Sequence, residues 1–388
     1  MYVIPSFDDS YGGPVTIVRN ICRELRAEHE IAVYATTSPS SRADLGQESF
    51  HKVVDGYTVK YFPRNLKRTR FNISVAMGLA LRNCMKDFDI VHVHSWRQFQ
   101  DMMVHHYSRK FKVPYVLQVH GALPFTNYAK SSKILYDLFF GQRVLNDASS
   151  VIASSELEAE QYANYRVQPR KIHIIPPGVN SNAFVDQEGI SSFKSKFSID
   201  LDSEIVLYLG RVHRLKGVDF LIRAFSSFVR TFPQHKNVLL VIAGPDDGFL
   251  SEAVHLTKTL QIENRIIFTG MLTQKDKVAA MMGSRVVVSP EKSNVFLIVP
   301  LEAAAAGRPV IVSKSNFVSH TVEDRGFGIS VEYGDVTGLA KSINYLVENP
   351  NISRTLGNRG REFVVESMNW AKVARKYENV YLDAVSNN

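Results

Sequence analysis

Residues 205–217 read IVLYLGRVHRLKG, and the rest of the chain repeats their pattern. The run Ile205–Leu209 is short and apolar, a turn bounded by Gly210 and Gly217 follows it, and Val218–Thr231 then shows apolar residues at helical spacing. A continuous apolar run is typical of a parallel strand that is buried on both faces. A helix directly after such a strand is typical of a βαβ unit. Residues 205–231 therefore predict a strand, turn and helix of a parallel α/β sheet.

The same alternation predicts strands and helices in both halves of the chain. Predicted strands are Tyr2–Pro5, Glu30–Ala35, Ile90–His94, Tyr115–Val119, Ser150–Ala153, Ile172–Ile174, Ile205–Leu209, Val238–Ala243, Arg265–Thr269, Arg285–Ser289 and Pro309–Val312. Predicted helices are Pro14–Ala27, Ile73–Met85, Leu135–Asn146, Val218–Thr231, Ser251–Leu260, Gln274–Met282, Leu301–Ala306, Leu339–Glu348 and Arg354–Ser367. The predicted fold class is α/β, with two doubly wound Rossmann-like domains facing each other across a cleft.

The chain of 388 residues is long enough for two domains with cores of their own. We predict an N-terminal domain over 1–180, a linker over 181–203 and a C-terminal domain over 204–367. The linker is placed where the sequence is polar and has no sustained period. A C-terminal helix at about 368–388 is expected to pack back on the first domain.

The composition excludes several protein classes. With 45% hydrophobic and 22% charged residues, the chain is neither disordered nor a coiled-coil rod. Cys22 and Cys84 are its two cysteines, so the sequence predicts no disulfide framework and no cysteine zinc site. No apolar stretch approaches the ~20 residues that span a bilayer, and Asp8, Asp9 and Arg19 interrupt any signal-peptide core. We expect a cytoplasmic protein, attached at most to the inner face of the cell membrane.

The positive charge is concentrated in residues 51–150. The net charge of the chain is +8, and this segment contains 15 basic and 6 acidic residues. Two clusters combine cations with aromatic residues: Arg64, Lys67, Arg68 and Arg70 beside Phe62 and Phe71, and Arg109, Lys110 and Lys112 beside Phe111. Such clusters fit an anionic membrane surface or a phosphorylated lipid carrier, and a solvated basic face is the alternative. Nucleic acid is not an expected partner, because no nucleic-acid-binding module accompanies the charge.

In a parallel sheet, ligands bind beyond the carboxyl ends of the strands. Gly12 and Gly13 follow the first predicted strand and precede a helix, which fits either an anion site or a plain turn. No Gly-x-Gly-x-x-Gly is present there, which argues against a nicotinamide dinucleotide. His120 ends another strand and could contact a sugar hydroxyl or a phosphate. His92 and His94 share a face, but without a third ligand at a telling spacing they predict no metal site.

The second half offers a stronger pattern at its strand ends. Arg211 and Lys216 lie five positions apart in a strand-to-helix turn, as a diphosphate clamp requires. A solvated basic turn is the alternative. Glu302 begins a helix and could accept two ribose hydroxyls or simply complement the helix dipole.

The sequence resembles the retaining glycosyltransferases of family 4, which have the GT-B fold. The resemblance covers nearly the whole chain in the order and approximate spacing of several motifs. They are Gly12-Gly13, His120-Gly121, Pro176-Pro177-Gly178-Val179-Asn180, Gly210-Arg211 with Lys216-Gly217, Pro300-Leu301-Glu302-Ala303, and Gly307-Arg308-Pro309-Val310-Ile311.

The resemblance implies that the domain over 1–180 binds the acceptor and that the domain over 204–367 binds the nucleotide sugar. It also implies a role for each matching residue. Arg211 and Lys216 would hold the diphosphate of a nucleotide sugar, next to Gly210, and Glu302 would bind the ribose. His120 would contact the transferred sugar, while Gly12 and Gly13 would let their loop approach phosphate or acceptor. The base would stack near Arg265–Met271, with main-chain contacts around Met271. The family needs neither a metal nor another cofactor, so we expect none.

The family's Glu-x7-Glu signature is altered here. Its first acid falls on Asn294, and the glycine three residues later is Leu297, so the donor-sugar segment of this chain is Asn294, Val295, Phe296 and Leu297. Asn294 either changes the sugar specificity, marks a weakly active or non-catalytic homologue, or is replaced in function by Glu291. We favour a changed specificity, because the other motif residues remain.

The resulting hypothesis is a retaining, metal-independent hexosyltransferase. It would transfer a sugar from a UDP- or GDP-sugar to a glycan, glycolipid or lipid-linked acceptor, in the synthesis of cell-surface polysaccharide or glycolipid. The main alternative is a non-catalytic protein that binds sugar nucleotides or glycans. An isomerase of the same fold is a lesser alternative.

Overall fold

The computed structural model describes residues 1–8, 11–37, 48–65, 73–123, 130–184, 189–291 and 298–387. The chain forms two compact units. Unit 1 comprises Met1–Gly178 and Trp370–Asn388, and unit 2 comprises Val179–Asn369. The segment 181–203, which we predicted to be a linker, belongs to unit 2 and contains a helix, Gly189–Lys196. Its apolar residues are few, but Phe193 and Ile199 are buried in the core of unit 2, and that packing stabilises structure in a polar sequence.

Unit 1 contains one sheet of eight strands. The strands are β1 (Tyr2–Ser6), β2 (Ala32–Thr36), β3 (Phe50–Val54), β4 (Tyr57–Phe62), β5 (Val91–Val93), β6 (Tyr115–Gln118), β7 (Ser150–Ala153) and β8 (Ile172–Ile174). The helices are α1 (Gly13–Leu25), α2 (Val75–Cys84), α3 (Phe99–Phe111), α4 (Lys130–Tyr136), α5 (Gln142–Asn146), α6 (Glu156–Asn164) and α15 (Trp370–Ser386). A π-helical turn, Asp137–Gly141, joins α4 to α5.

The strand order in unit 1 is β3-β4-β2-β1-β5-β6-β7-β8, and every pair is parallel except β3 with β4. The sequence analysis missed this antiparallel hairpin because β3 is an edge strand whose central residues are exposed. The turn Asp55-Gly56 between the two strands is a common hairpin sequence and was the available signal.

Unit 2 contains a sheet of six parallel strands in the order β11-β10-β9-β12-β13-β14. The strands are β9 (Glu204–Leu209), β10 (Val238–Ala243), β11 (Ile266–Gly270), β12 (Ser284–Ser289), β13 (Val310–Ser313) and β14 (Gly328–Val331). The helices are α7 (Gly189–Lys196), α8 (Val218–Thr231), α9 (Leu250–Thr259), α10 (Gln274–Gly283), α11 (Val299–Ala305), α12 (Ser319–Arg325), α13 (Val336–Glu348) and α14 (Pro350–Ser367).

The central strands of both sheets are buried on both faces, as the apolar runs predicted. Ile205 and Leu207 of β9 point into one core cluster of unit 2, and Val206 and Tyr208 point into the other. Because successive side chains of a strand alternate between faces, an all-apolar strand places a helical layer on each side. The predicted fold class of two doubly wound α/β units is confirmed.

The strand orders fix where a ligand can bind. The chain moves outward in one direction from β1 and then in the other from β5, and it does the same in unit 2 from β9 and β12. At such a reversal the loops leave towards opposite faces of the sheet and open a crevice at the carboxyl ends of the two strands. The residues that follow β1 and β5, and β9 and β12, are therefore the first candidates for a site. Within the described ranges, none of the helices combines the length and apolar character needed to cross a bilayer.

Candidate functional site

The turn after β9 is held tightly against the end of β10. The Gly210 amide donates to the carbonyl of Ala243 at 3.0 Å, and the Val212 amide donates to the carbonyl of Pro245 at 2.9 Å. A Cβ atom on Gly244 would lie 1.9 Å from the Gly210 carbonyl oxygen, so only glycine fits there. The backbone that carries Arg211 is thus fixed by its neighbouring strand.

Arg211 is exposed and paired with an acidic residue that the sequence analysis did not single out. Its Nη1 lies 2.6 Å from Oδ2 of Asp247, and about two-thirds of its side chain is exposed (63%). An exposed pair of this kind contributes little to folding, about 0–1 kcal/mol. The guanidinium therefore remains available to an incoming anion.

Lys216 ends a short 3₁₀ turn, Arg214–Lys216, and points towards the end of β12. Its Nζ lies 3.5 Å from Oε1 of Glu291, which is buried and follows β12 after one residue. Gly217 closes the turn with φ +67°, and a Cβ there would lie 2.9 Å from the Pro290 carbonyl oxygen. The close approach of α8 to the end of β12 brings Lys216 and Glu291 together at the reversal point of unit 2.

Glu291 is an unusual residue at this position. Burial raises the pKa of its carboxyl group, and the Lys216 ammonium partly opposes that shift. Its second oxygen, Oε2, is buried and has no hydrogen-bond partner among the residues that the structure describes. A buried carboxylate with an unused acceptor can receive a hydrogen bond from a ligand.

Glu302 lies in the first turn of α11 and is partly buried. Its Oε1 is 2.5 Å from Nζ of Lys277 on α10, a partner that was not predicted. Met271 lies directly after β11 and is largely exposed. Arg265 does not lie with it, because its guanidinium precedes β11 and donates to the carbonyls of His235 and Val238 at the opposite end of the strand. Of the predicted base-binding range Arg265–Met271, only the Met271 end lies at the carboxyl end of β11, and the role of Met271 stays a prediction.

The structure thus places Arg211, Lys216 and Glu302 in three separate ion pairs of unit 2. A ligand with both anionic and hydroxyl groups could exchange with these internal partners, the cations turning to phosphate and the carboxylate to hydroxyls. Asn294, Val295, Phe296 and Leu297 lie outside the described residues.

In unit 1, the chain turns sharply after β6. His120 and Gly121 both adopt left-handed backbone conformations, with φ of +53° and +75°. The turn is held by Glu158, whose carboxylate accepts hydrogen bonds from the amides of Gly121 and Ser154. Non-glycine residues in this conformation are uncommon and cluster at functional sites. Glu158 is a positioning residue that no local sequence signal marked.

His120 belongs to a buried cluster of histidines. Its Nε2 lies 3.0 Å from Nδ1 of His94, whose ring centroid lies 3.9 Å from that of His92. Nδ1 of His92 in turn lies 2.7 Å from the hydroxyl of Tyr381 on α15. Burial lowers the pKa of His120 to about 3 and holds the pKa values of His92 and His94 well below their usual range. All three rings are therefore neutral near pH 7.

Because the three histidine rings are neutral, each carries one ring proton, and the hydrogen bonds indicate which nitrogen holds it. Exactly one of the two nitrogens that join His94 to His120 carries a hydrogen. Nε2 of His94 is buried without a hydrogen-bond partner among the described residues, so a proton there would be unpaired. We place the proton on Nδ1 of His94, which donates to His120 and leaves Nδ1–H of His120 as a donor. Among the described residues, no group of three His, Cys, Asp or Glu side chains is arranged to hold a metal ion.

The glycines after β1 leave open space beside α1. Gly12 has φ +82°, and an added Cβ would meet no atom of the described residues within 4 Å, while Gly13 is the first residue of α1. A ligand could approach this backbone closely, as predicted for a phosphate or an acceptor, and the role remains a prediction.

In the first predicted basic cluster, the aromatic residue Phe62 does not lie at the surface. Phe62 is buried in the core of unit 1, and Arg64 donates from Nε to the Thr36 hydroxyl at 3.1 Å. The expectation that Phe62 presents an apolar surface is therefore wrong, because β4 carries it inward. The neighbouring residues Lys67, Arg68, Arg70 and Phe71 lie outside the described part of the chain. In the second cluster, Phe111 stacks on Tyr107 and has the Lys110 ammonium above its ring.

Two family models match successive parts of the chain. "Glycosyltransferase Family 4" matches residues 11–183, and "Glycosyl transferases group 1" matches residues 190–363. Among curated relatives, a D-inositol 3-phosphate glycosyltransferase of Acidothermus cellulolyticus is 26% identical over 77% of this chain and 68% of its own. An alpha-monoglucosyldiacylglycerol synthase of Streptococcus pneumoniae is 23% identical over 98% of this chain and 86% of its own.

Solved structures of the same architecture are similar over the whole chain. Sucrose-phosphate synthase from Thermosynechococcus elongatus superposes with a TM-score of 0.81 at 20% identity, covering 100% of this chain and 99% of its own. Anabaena Alr3699/HepE in complex with UDP-glucose superposes with a TM-score of 0.79 at 17% identity, covering 100% and 99%. The two family models together span most of the chain, and the fold agrees with them. The chain belongs to glycosyltransferase family 4 and has the GT-B fold.

Proposed function

We propose that this glycosyltransferase transfers a hexose from a UDP- or GDP-sugar, with retention and without a metal ion, to a glycan, glycolipid or lipid-linked acceptor. The product would contribute to cell-surface polysaccharide or glycolipid. The observation that carries the proposal is the pairing of Lys216 with Glu291 at the reversal point of unit 2, beside the turn that presents Arg211.

The two cations suit a leaving diphosphate. Negative charge develops on the diphosphate as its bond to the sugar breaks, and Arg211 and Lys216 stabilise that charge more in the transition state than in the ground state. Their internal partners, Asp247 and Glu291, hold the two side chains in position before the donor arrives.

Retention follows if the diphosphate also accepts the proton of the acceptor. The acceptor hydroxyl forms its bond to the anomeric carbon on the face from which the diphosphate departs, and its proton moves to a phosphate oxygen. No side-chain base is then required. The neutral His120 would donate from Nδ1–H to a hydroxyl of the transferred sugar.

Glu291 supports activity despite the change at Asn294. Its carboxylate lies beside Lys216 with Oε2 free to accept a hydrogen bond, three positions before the missing acid. We propose that Glu291 supplies a carboxylate contact to the donor, and that Asn294 changes the sugar that is selected. Ribose would be bound by Glu302 once it exchanges Lys277 for the hydroxyls.

The relatives and the charge of the chain support a class of acceptor and a location. The Streptococcus pneumoniae relative is named for a glycolipid product, and residues 51–150 of this chain are strongly basic. We propose a cytoplasmic enzyme that works peripherally at the inner membrane face on a lipid or glycan acceptor.

A panel of nucleotide sugars tests the proposal. UDP, GDP and their sugars are added to the protein and thermal unfolding is recorded, since a ligand at about 100 times its Kd adds about 2.7 kcal/mol of stability. The stabilising donor is then incubated with candidate acceptors, and the anomeric configuration of the product is read by NMR, with and without EDTA. We expect an α-linked product from an α-donor, unaffected by EDTA. Stabilisation without turnover of any donor would assign the chain to the non-catalytic alternative, and an inverted product would contradict retention.

A further inference from the structure

Residues 134–140 form an apolar surface on unit 1. Five of these seven side chains are large, apolar and between 47% and 75% exposed. They are Ile134, Leu135, Leu138, Phe139 and Phe140. Isolated exposed apolar residues are ordinary, but a contiguous group of this size marks an interaction site on a water-soluble protein.

This segment is fixed to unit 1 from its inner side. Asp137, in the π-helical turn, forms a buried ion pair with Arg97, with oxygen–nitrogen distances of 2.9 and 2.8 Å. The Tyr165 hydroxyl donates to the same carboxylate at 3.0 Å. The extra residue of the π-helical turn lets Asp137 point inward while Leu138, Phe139 and Phe140 point outward. The apolar surface is thus presented by a firmly anchored segment.

Cations border the apolar surface. A groove between α3 and the π-helical segment is lined by Met102, Met103, Phe139 and Phe140, and by Arg109, Lys110 and Arg143. Within the described parts of the chain, Lys110 and Arg143 have no acidic partner within ion-pair distance, and Arg109 has only a long contact of 3.9 Å to Asp147. Asp147 is itself paired with His105 at 2.8 Å. The rim therefore carries excess positive charge.

We propose that this surface docks on a bilayer that contains anionic lipids. Leu138, Phe139 and Phe140 would enter the boundary between headgroups and acyl chains, while Arg109, Lys110 and Arg143 would contact lipid phosphates. Charge complementarity favours this occupant, because an apolar surface bordered by cations matches acyl chains under a layer of phosphates. The inference rests on the proposed function in that a lipid-linked acceptor would lie in that bilayer.

Vesicle binding tests the surface without any sugar donor. The full chain is sedimented with phosphatidylcholine vesicles, with and without 30% phosphatidylglycerol, in 0.1 M and 0.5 M NaCl. We expect about a tenfold preference for the anionic vesicles at 0.1 M salt, lost largely at 0.5 M. The variant Leu138→Ser/Phe139→Ser should lose about tenfold in partitioning, and Lys110→Gln/Arg143→Gln about tenfold on anionic vesicles only.

Matched variants separate docking from folding. Leu201→Ser and Lys258→Gln alter an exposed leucine and an exposed lysine of unit 2 and should leave partitioning unchanged. Leu138→Trp should increase partitioning two- to threefold with a blue-shifted emission, a gain that a misfolded variant would not show. Equal sedimentation of all variants, or no preference for anionic vesicles, would overturn the inference. So would a concentration-dependent dimer that Leu138→Ser/Phe139→Ser abolishes, since it would assign the surface to a second copy.

A failure of the docking proposal can be distinguished from a failure of the proposed function. Loss of vesicle binding with retained sugar transfer to a detergent-solubilised acceptor would remove the docking surface alone. Vesicle binding with no transfer to any acceptor would remove the proposed function and leave the surface.

Discussion

The two sheets differ in chemistry at the carboxyl ends of their strands. In unit 1 the strand ends present His94 and His120, which are neutral and joined by hydrogen bonds. In unit 2 they present Arg211 and Lys216, which are charged and held by acidic partners. Similar architecture therefore supports two kinds of recognition: unit 2 can attract and exchange anions, whereas unit 1 can discriminate hydroxyls by direction.

The comparison predicts that the largest effect on transfer comes from removing charge in unit 2. Lys216→Ala should lower kcat by about 10²–10³-fold, because it removes a cation that we propose stabilises the leaving diphosphate. The rate is measured at saturating donor, with Lys258→Ala as a matched control on the exposed face of α9. A loss smaller than threefold would mean that Lys216 does not face the diphosphate.

A second variant separates catalysis from folding in that experiment. Lys216→Ala leaves the buried carboxylate of Glu291 without its cation, which also destabilises unit 2. Lys216→Ala/Glu291→Gln removes both charges, so its thermal stability should return towards that of the unaltered protein. Transfer should stay low and below that of Glu291→Gln alone, which measures the loss of the donor contact proposed for Glu291. Recovery of transfer in the double variant would mean that the single variant had acted only through the fold.

The next prediction concerns unit 1. Because its buried histidines are neutral, the free energy of unfolding of this unit should fall in acid. In the unfolded chain a histidine takes up a proton as the pH falls through about 6.5, whereas buried His92 stays neutral because its pKa is well below that value. The stability that this difference provides is present above pH 6.5 and is lost as the pH falls. The loss between pH 7 and pH 5 is about 2 kcal/mol for each such histidine.

The variant His92→Gln tests whether His92 causes stability to fall as the pH falls. The free energy of unfolding of unit 1 should fall by about 2 kcal/mol less between pH 7 and pH 5 in the variant than in the unaltered protein. Trp96 and Trp370 both lie in unit 1 and are the chain's two tryptophans, so their fluorescence during urea unfolding reports this unit. His51→Gln, an exposed histidine on β3, should leave the pH dependence unchanged. Identical pH dependence in His92→Gln would show that His92 takes up its proton over the same pH range in the folded and unfolded states.

The buried carboxyl group of Asp101 changes the pH dependence of stability in the opposite direction. It does not affect the comparison of His92→Gln with the unaltered protein. Burial raises the pKa of Asp101 to about 7, so the folded protein holds a proton there that the unfolded chain releases, and stability from this group grows as the pH falls. Both proteins share Asp101, and its contribution cancels in their difference.

The sequence predicted unit 2 better than unit 1 for a physical reason. The helix Val218–Thr231 and the strand Val238–Ala243 were predicted with the observed bounds, because buried parallel strands and amphipathic helices leave local patterns. The turn with Arg211 and Lys216 was also visible, since its glycines and cations are adjacent in sequence. Their partners Asp247 and Glu291 were not, because pairing depends on which strands become neighbours.

In unit 1 the decisive contacts join distant parts of the chain. His92 and Tyr381 are 289 positions apart, and no periodicity relates a strand to the helix that packs on it from the C-terminus. The π-helical turn Asp137–Gly141 was predicted as part of an ordinary helix, Leu135–Asn146. Asp137 of this turn forms a buried pair with Arg97, a tertiary contact that local propensity does not encode.

The smallest expected effect concerns the exposed pair of unit 2 and tests whether its charges are exchangeable. Asp247→Asn removes the counter-ion that lies 2.6 Å from Arg211 and leaves the guanidinium in place. Because an exposed pair is worth only about 0–1 kcal/mol, the donor Kd should fall two- to threefold at low salt. The gain should vanish near 0.5 M NaCl, where charges are screened within a few ångströms. Weaker donor binding in Asp247→Asn would mean that Asp247 orients Arg211 for the phosphate instead of competing with it, and unit 2 would then share the directional recognition inferred for unit 1.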